Sequence, residues 1–354
     1  MTTATATDPL VLGPLLRYVD ESSATIWVRT ADPALVTVER AGHVWSAPTF
    51  AVHGSHFALV VLDGLEPGSD DAYEVRLDGT PVWPREGMPP SRVRTLDPTR
   101  EPRLAFGTCR TTGSHDEEGN RAHGVDALRS FAIALRDDPA TDWPDLLLLL
   151  GDQVYADTAP HPELEEFMAA RRDLSLPPGD EIKDFVEYAE LYRLAWSDDV
   201  VRWVLSTVPS AMMFDDHDIR DDWNTSWSWR REIRATTWWQ ERIVSGLGAY
   251  WVHQHIGNLS PAELADEEVW RHVSAHAASG EPGELDLSDV LDAVAARADE
   301  ETSTYRWSYA RALGDCALVV VDSRAARELR PDGRSMLDAD EMREVMEALG
   351  ERER

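Results

Sequence analysis

Three times along this chain an apolar run of strand length stops abruptly at a cluster of polar donors. The clusters are Phe106-Gly-Thr-Cys-Arg110, Gly151-Asp-Gln-Val-Tyr-Ala-Asp157 and Phe214-Asp-Asp-His-Asp-Ile-Arg-Asp-Asp222. The second follows Leu146 to Leu150, five consecutive leucines. Leucine favours helix, but Pro144 before the run and Gly-Asp after it leave room only for a short element, so length decides for a buried strand. Arg103 to Cys109 and Ser210 to Asp215 read the same way, with a helix over Val125 to Leu135 between the first two strands. Buried strands alternating with longer helical stretches specify an α/β layered domain, sheets flanked by helices. Ligands bind beyond the carboxyl ends of strands in such domains, and all three clusters begin there.

Residues 10–97 follow a different pattern. Ala24 to Arg29, Ala34 to Glu39, His56 to Leu62 and Ala72 to Leu77 are short, rich in β-branched and aromatic residues, and partly alternating. This is a β-sandwich pattern. Leu65-Glu-Pro-Gly68 followed by Tyr73 resembles the corner of fibronectin type III-like domains, which implies a tyrosine hydroxyl bonded back to the preceding loop. Trp27, on an inner strand, is expected to fill the core, and the module is expected only to pack and position. Pro84 to Pro102 reads as a linker or strap, so the domains are expected at 10–97 and 103–354. Later on, Glu181 to Trp196 has the spacing of an amphipathic helix. The tryptophan-rich stretch Trp223 to Trp251 reads as packed helices, Thr304 to Ala310 with Cys316 to Asp322 as a hairpin around Leu313-Gly314, and Asp338 to Arg354 as a helix.

Composition narrows the function. The chain has 354 residues, with Lys plus Arg at 34 against Asp plus Glu at 65, so 34 − 65 gives −31. That charge opposes nucleic acid or an anionic membrane as a stable partner. Only Cys109 and Cys316 occur, which excludes a disulfide framework and fits a reducing compartment. No apolar run approaches a membrane span, and MTTATATDPL lacks the basic and apolar regions of a signal peptide. A cytoplasmic protein is expected.

Each polar cluster has an ordinary explanation alone: a Gly-Asp turn, a cysteine as apolar filler, an exposed acidic turn. Together they bring thiol, carboxylate, phenol and imidazole to one end of a sheet. Carboxylates so crowded repel unless a multivalent cation neutralises them or some take up protons. A cation is the simpler solution, and the donor set suits a hard trivalent or divalent pair better than zinc.

Gly-Thr-Cys-Arg, Gly-Asp-Gln-Val-Tyr-Ala-Asp, Asp-Asp-His-Asp and Val319-Val-Val-Asp-Ser-Arg324, in this order, resemble the motifs of PhoD-like alkaline phosphatases, metallophosphatases related to the purple acid phosphatases. The resemblance runs over nearly the whole chain and implies a β-sandwich followed by an α/β metallophosphatase domain. It implies a binuclear centre, Fe3+ with Ca2+ or another divalent ion. Cys109 matches a thiolate ligand to iron, Asp152 a bridging carboxylate, Tyr155 a phenolate on the ferric ion, and Asp216 an oxygen donor to the second metal. His217 matches a general acid at the leaving group, and Arg110 either holds a phosphate oxygen or pairs with a carboxylate. Asp157, Asp218 and Asp222 are weaker candidates for a calcium ion or for supporting hydrogen bonds.

The implied chemistry is hydrolysis of a small phosphate mono- or diester by a water activated between two cations roughly 3.5 to 4 Å apart. His253 and His255 are read as helix-surface residues, Arg324 as a partner of Asp322, and the tryptophans as packed core. The family has a further segment ending in a Gly-Asp-x-His type motif. None follows Asp322-Ser-Arg here, so a C-terminally truncated domain with uncovered apolar surface is expected, its activity in doubt. Family members secreted elsewhere leave localisation open. The alternatives are an inactive binding or scaffold protein on the same fold and a glycoside hydrolase with paired carboxylates.

Overall fold

The computed structural model describes residues 8–137, 143–158 and 161–350. The first residues of MTTATATDPL and the last four of the chain lie outside them.

Nine strands open the chain: β1 (Leu10–Val19), β2 (Ala24–Thr30), β3 (Leu35–Arg40), β4 (His43–Pro48), β5 (Phe50–Val52), β6 (Ser55–Leu62), β7 (Asp70–Leu77), β8 (Thr80–Trp83) and β9 (Arg92–Arg94). They form two antiparallel layers, β1-β2-β6-β5 and β4-β3-β7-β8, with β9 on β7. Ile26, Val28, Val36, Val38, Val60 and Val75 meet between the layers. On the other face of β2 and β6, Trp27, Phe57 and Leu59 join the core of the second domain. Trp27 is therefore buried, but outside the sandwich interior, with its indole N–H on the Val252 carbonyl at 2.8 Å. Tyr73 also departs from expectation: its hydroxyl donates to the Ser206 carbonyl at 2.7 Å, across the domain boundary.

The second domain is built on β10 (Leu104–Gly107), β11 (Leu146–Leu150) and β12 (Ser210–Met213), parallel in the order β10-β11-β12. Helices α1 (Glu117–His123), α2 (Ala127–Asp137), α3 (Pro162–Arg171), α4 (Phe185–Trp196) and α5 (Asp199–Thr207) fill the crossovers. The helix read from Glu181 begins instead at Phe185, because Asp184 caps it by accepting the Glu187 amide. Then come α6 (Trp227–Arg234), α7 (Trp239–Tyr250) running into a π-turn over Trp251–His255, α8 (Pro261–Asp266), α9 (Trp270–Ser279), β13 (Leu285–Asp286) and α10 (Ser288–Glu300). β13 pairs in parallel with β5, so the late chain extends the N-terminal sheet.

The hairpin is β14 (Tyr309–Leu313) and β15 (Cys316–Val320), turning at Gly314. Its first strand starts later than the sequence suggests, because Tyr305 and Trp307 pack on the ring of His255. Helix α11 (Ala339–Gly350) follows. His253 and His255 are 1% and 2% exposed, which corrects their helix-surface reading. Trp223, Trp239 and Trp251 are buried, whereas Trp227 is exposed. β10 is an edge strand with Leu104 and Phe106 exposed. Among the described residues no helix is long and apolar enough to cross a membrane.

Arginines fasten the two domains. Arg17 of β1, wholly buried, donates to the carbonyls of His253 (3.1 Å) and Gln254 (2.6 Å), where the π-turn leaves acceptors open. Arg202 of α5 donates to Leu10 and Gly13 carbonyls, and Arg311 of β14, held within its own domain by the Gly257 and Asn258 carbonyls, lies 5.2 Å from the ring centroid of Tyr18 on β1. A Cβ on Gly257 would lie 2.5 Å from Nε of Arg17, so that position must be glycine.

Candidate metal centre

The parallel register brings the ends of the three central strands level, with Gly107 beside Leu149 and Leu150 beside Met213. Beyond those ends the loops are stitched by backbone: Cys109 N–H to Gly151 O (3.2 Å), Arg110 N–H to Asp152 O (2.9 Å) and Gly151 N–H to Met213 O (2.7 Å). Gly151 has φ +88°, and a Cβ there would sit 2.5 Å from that of Asp215. Only glycine lets the second and third loops approach this closely. Cys109 and Asp152 hold left-handed φ values of 56° and 48°, conformations costly for these residues unless the surroundings impose them.

Asp218 is much of that imposition. Its buried Oδ2 accepts the amides of Asp152 (2.8 Å) and Asp215 (2.9 Å), and its Oδ1 accepts from Gln254 (3.2 Å). Burial pushes its carboxyl up to about 8 despite those donors. It therefore fastens the strand-end loops to one another and to the π-turn.

Candidate ligand atoms of Asp152, Asp216 and His217 lie within 4.8 Å of one another, and Asp216, Asp221 and Asp222 make a second such set. The Cys109 thiol hydrogen-bonds Asp152. The ring of Tyr155 stacks on His217 with centroids 4.5 Å apart. His217 gives Nδ1 to Asp157 at 2.8 Å, and its backbone amide donates to Asp152 Oδ1 at 3.2 Å. Cys109, Asp152, Tyr155, Asp216 and His217 are thus brought together, with Asp157 bracing the imidazole.

Arg110 is turned elsewhere. Its guanidinium donates to Asp126 at 2.8 and 3.0 Å and to the Ala195 carbonyl at 2.6 Å, so of the two roles read for it the carboxylate pairing is the one formed. Arg324 does not pair through its side chain with Asp322. It reaches Asp215 and, at 3.0 Å, Asp216, while buried Asp322 accepts the backbone amides of Arg324, Ala325 and Ala326. Sequence reading missed Asp126 and Asp215 as partners; the Asp-Asp doublet at 215–216 was the available signal for the latter.

The donor electrostatics show what the cluster lacks. Burial raises the Asp152 carboxyl, with Asp215 and Asp216 adding to the rise. The Thr108 hydroxyl draws the Cys109 thiol down, but burial and the charges of Asp152 and Asp215 outweigh it and the net shift is upward. Burial pushes the Tyr155 phenol up to about 12, and Asp152 and Cys109 push the same way. Three acids crowded together each move toward the neutral form, the behaviour of an anionic donor set whose neighbouring guanidinium, Arg324, is spent on Asp215 and Asp216. The residues fit a multivalent cation, which would reverse all three shifts.

Residues 131–279 match the family model of the PhoD-like phosphatases. Residues 7–95 match a domain of unknown function, DUF7800. Against the solved structure of PhoD, 99% of this chain superposes with a TM-score of 0.61 at 15% identity, a likeness of fold. The chain spans 61% of the length of that PhoD. A purple acid phosphatase isolated from seeds of yellow lupin (Lupinus luteus) matches over 60% of this chain and 36% of its own, at 14% identity and a TM-score of 0.36, too slight a likeness to build on. No curated protein matches the sequence. An N-terminal sheet domain precedes the segment that matches the PhoD-like model, with Asp152, Tyr155, Asp216 and His217 inside that segment and Cys109 before it.

Proposed function

We propose that the chain hydrolyses phosphate mono- or diesters. The observation that carries this reading is the cluster of Asp152, Asp216 and His217 at the carboxyl ends of the parallel strands, with the Cys109 thiol hydrogen-bonded to Asp152 and Tyr155 stacked on His217. Cys109, Asp152, Tyr155 and Asp216 would hold a pair of cations, Fe3+ with Ca2+ or another divalent ion. Such a pair would supply Lewis acidity and a water acidic enough to give up a proton near neutral pH and attack phosphorus as hydroxide.

The protein's own groups do the rest. His217 would present Nε2, 3.8 Å from Asp221 Oδ1, to the departing oxygen, with Nδ1 held by Asp157 and the ring stacked on Tyr155. The His217–Asp157 pair also favours the charged imidazolium: burial lowers its pKa, the nearby carboxylates raise it, and the net shift is upward. A proton is therefore available for the leaving alkoxide. Arg110, tied to Asp126 and to the Ala195 carbonyl, braces the loop that carries Cys109. The net charge of −31 disfavours large polyanions, which leaves small phosphoesters as substrates. The fibronectin type III-like character of the N-terminal sheets belongs to the same reading, as a positioning module.

A second reading, a binding or scaffold protein without catalysis, is favoured by Arg324, whose guanidinium already neutralises Asp215 and Asp216. Turnover of p-nitrophenyl phosphate separates the two. Hydrolysis abolished by a chelator and restored by iron with calcium supports the enzyme, and no turnover in metal-reconstituted protein supports the scaffold. Turnover indifferent to chelator contradicts the metal-dependent reading.

A further inference from the structure

An acidic chain has little reason to gather arginines, yet α6 carries Arg230, Arg231 and Arg234 and the segment after Asp322 carries Arg324, Arg327, Arg330 and Arg334. The two groups face each other across a cavity of about 640 Å³, walled by Arg230, Arg231, Arg234, Arg327 and Arg330, with the exposed indole of Trp227 on its lining. Glu300, Glu301 and Glu328 share the wall but do not absorb the charge. Among the described residues, the lining arginines within ion-pair distance of a carboxylate are Arg234, on Asp299 at 2.5 Å, and Arg330, on Glu328 at 3.7 Å. Arg230 donates to the backbone carbonyl of Asp299, and Arg327 to those of Ser323 (2.6 Å) and Asn224 (3.4 Å). Among the described residues Arg231 has no partner.

These guanidinium groups also oppose one another. Burial, and then the neighbouring Arg234 and Arg324 respectively, hold Arg230 and Arg327 below the usual arginine range. Like charges kept together in a cavity of ligand size are stabilised by an anion that accepts from several of them. The planar fork of arginine suits a phosphate in particular. The cavity also adjoins the strand ends: Arg324, three residues before Arg327, ion-pairs Asp215 and Asp216, and Arg327 feels the charge of both.

We infer that this cavity binds a second phosphate group of the substrate, so that the preferred substrate is a small organic molecule with two phosphoryl groups whose organic part rests on Trp227. The choice of substrate rests on the phosphoesterase reading, but the test does not. Full-length protein stripped with chelator is titrated calorimetrically with adenosine 3′,5′-bisphosphate and, separately, with inorganic phosphate. One saturable site is expected, weakened by about tenfold or more in Arg231→Gln and in Arg327→Gln, with inorganic phosphate also at least about tenfold weaker than the bisphosphate. Arg231 lies on an exposed helix face, so that variant should keep its circular dichroism and melting temperature.

Absence of binding, equal binding by folded variants, or inorganic phosphate as tight as the bisphosphate would each overturn the inference. Because the stripped protein carries no cations, failure here leaves the phosphoesterase reading standing. Failed hydrolysis likewise leaves a positive titration intact.

Discussion

The seam between the domains and the cluster at the strand ends both bury charge, and they treat it in opposite ways. In the seam Arg17 and Arg202 are met by carbonyl oxygens of the opposite domain: Arg17 by His253 and Gln254, Arg202 by Leu10 and Gly13. Oriented backbone dipoles supply the negative potential, joined at Arg202 by Asp8 at 3.7 Å, and burial still lowers Arg17 to about 9 and Arg202 to about 10. At the strand ends Asp152, Asp215 and Asp216 crowd a thiol and a phenol, and burial with the neighbouring charges moves Asp152, Cys109 and Tyr155 toward their neutral forms. A satisfied buried charge is a structural joint, whereas a strained set of anions signals a cation.

That contrast can be broken first at the strand ends. Asp152→Asn keeps the shape but removes the charge at the centre of the donor set. Phosphatase turnover should fall by more than about 100-fold, measured with p-nitrophenyl phosphate, while the melting temperature stays the same or rises as repulsion is relieved. A large loss of stability would mean that Asp152 is a joint like those of the seam.

In the seam the expectation reverses. Arg17→Met leaves the carbonyls of the π-turn without donors and should lower unfolding free energy by about 3 kcal/mol, read from urea titration. A change within about 0.5 kcal/mol, the range of ordinary surface substitutions, would show that backbone dipoles do not hold the joint.

The smallest effect concerns histidines beside the seam. Burial first, and then nearby Arg29 and Arg17 for His253 and Arg17 for His255, hold both imidazoles down at about 3 against an ordinary 6.5. The unfolded chain takes up these protons near pH 6.5 and the folded one does not until about 3. Their contribution is therefore complete above pH 6.5 and is lost as pH falls through that window. His255→Phe, which also removes a buried Nδ1 without a partner, should reduce the drop in melting temperature between pH 7.5 and 5. An unchanged drop would place the acid sensitivity elsewhere.

The strand ends were legible because apolar runs such as Leu146 to Leu150 end abruptly at chemically distinctive residues, and parallel register then brings those ends level. The seam was not. β2 is buried on both faces, so alternation could not tell which core Trp27 enters, and Tyr73 looked local because nothing near it in sequence announces Ser206. His253 and His255 looked like surface residues because the helix that bears them is covered from all sides by distant segments, including Trp27 and Trp307. Arg110 and Arg324 exchanged expectations for the same reason: their carboxylate partners, Asp126 and Asp215 with Asp216, are set by tertiary packing. Local pattern specifies where donors stand in the fold, and only packing decides which of them are already paired.

The most direct test of a strand-end cation site is the metal content of dialysed protein, by plasma mass spectrometry, for the native chain and Asp152→Asn side by side. The account predicts iron and a divalent ion near one each per chain in the native protein and a clear loss in the variant. Native protein that holds only trace metal after reconstitution, or a variant that holds as much as the native chain, would contradict it.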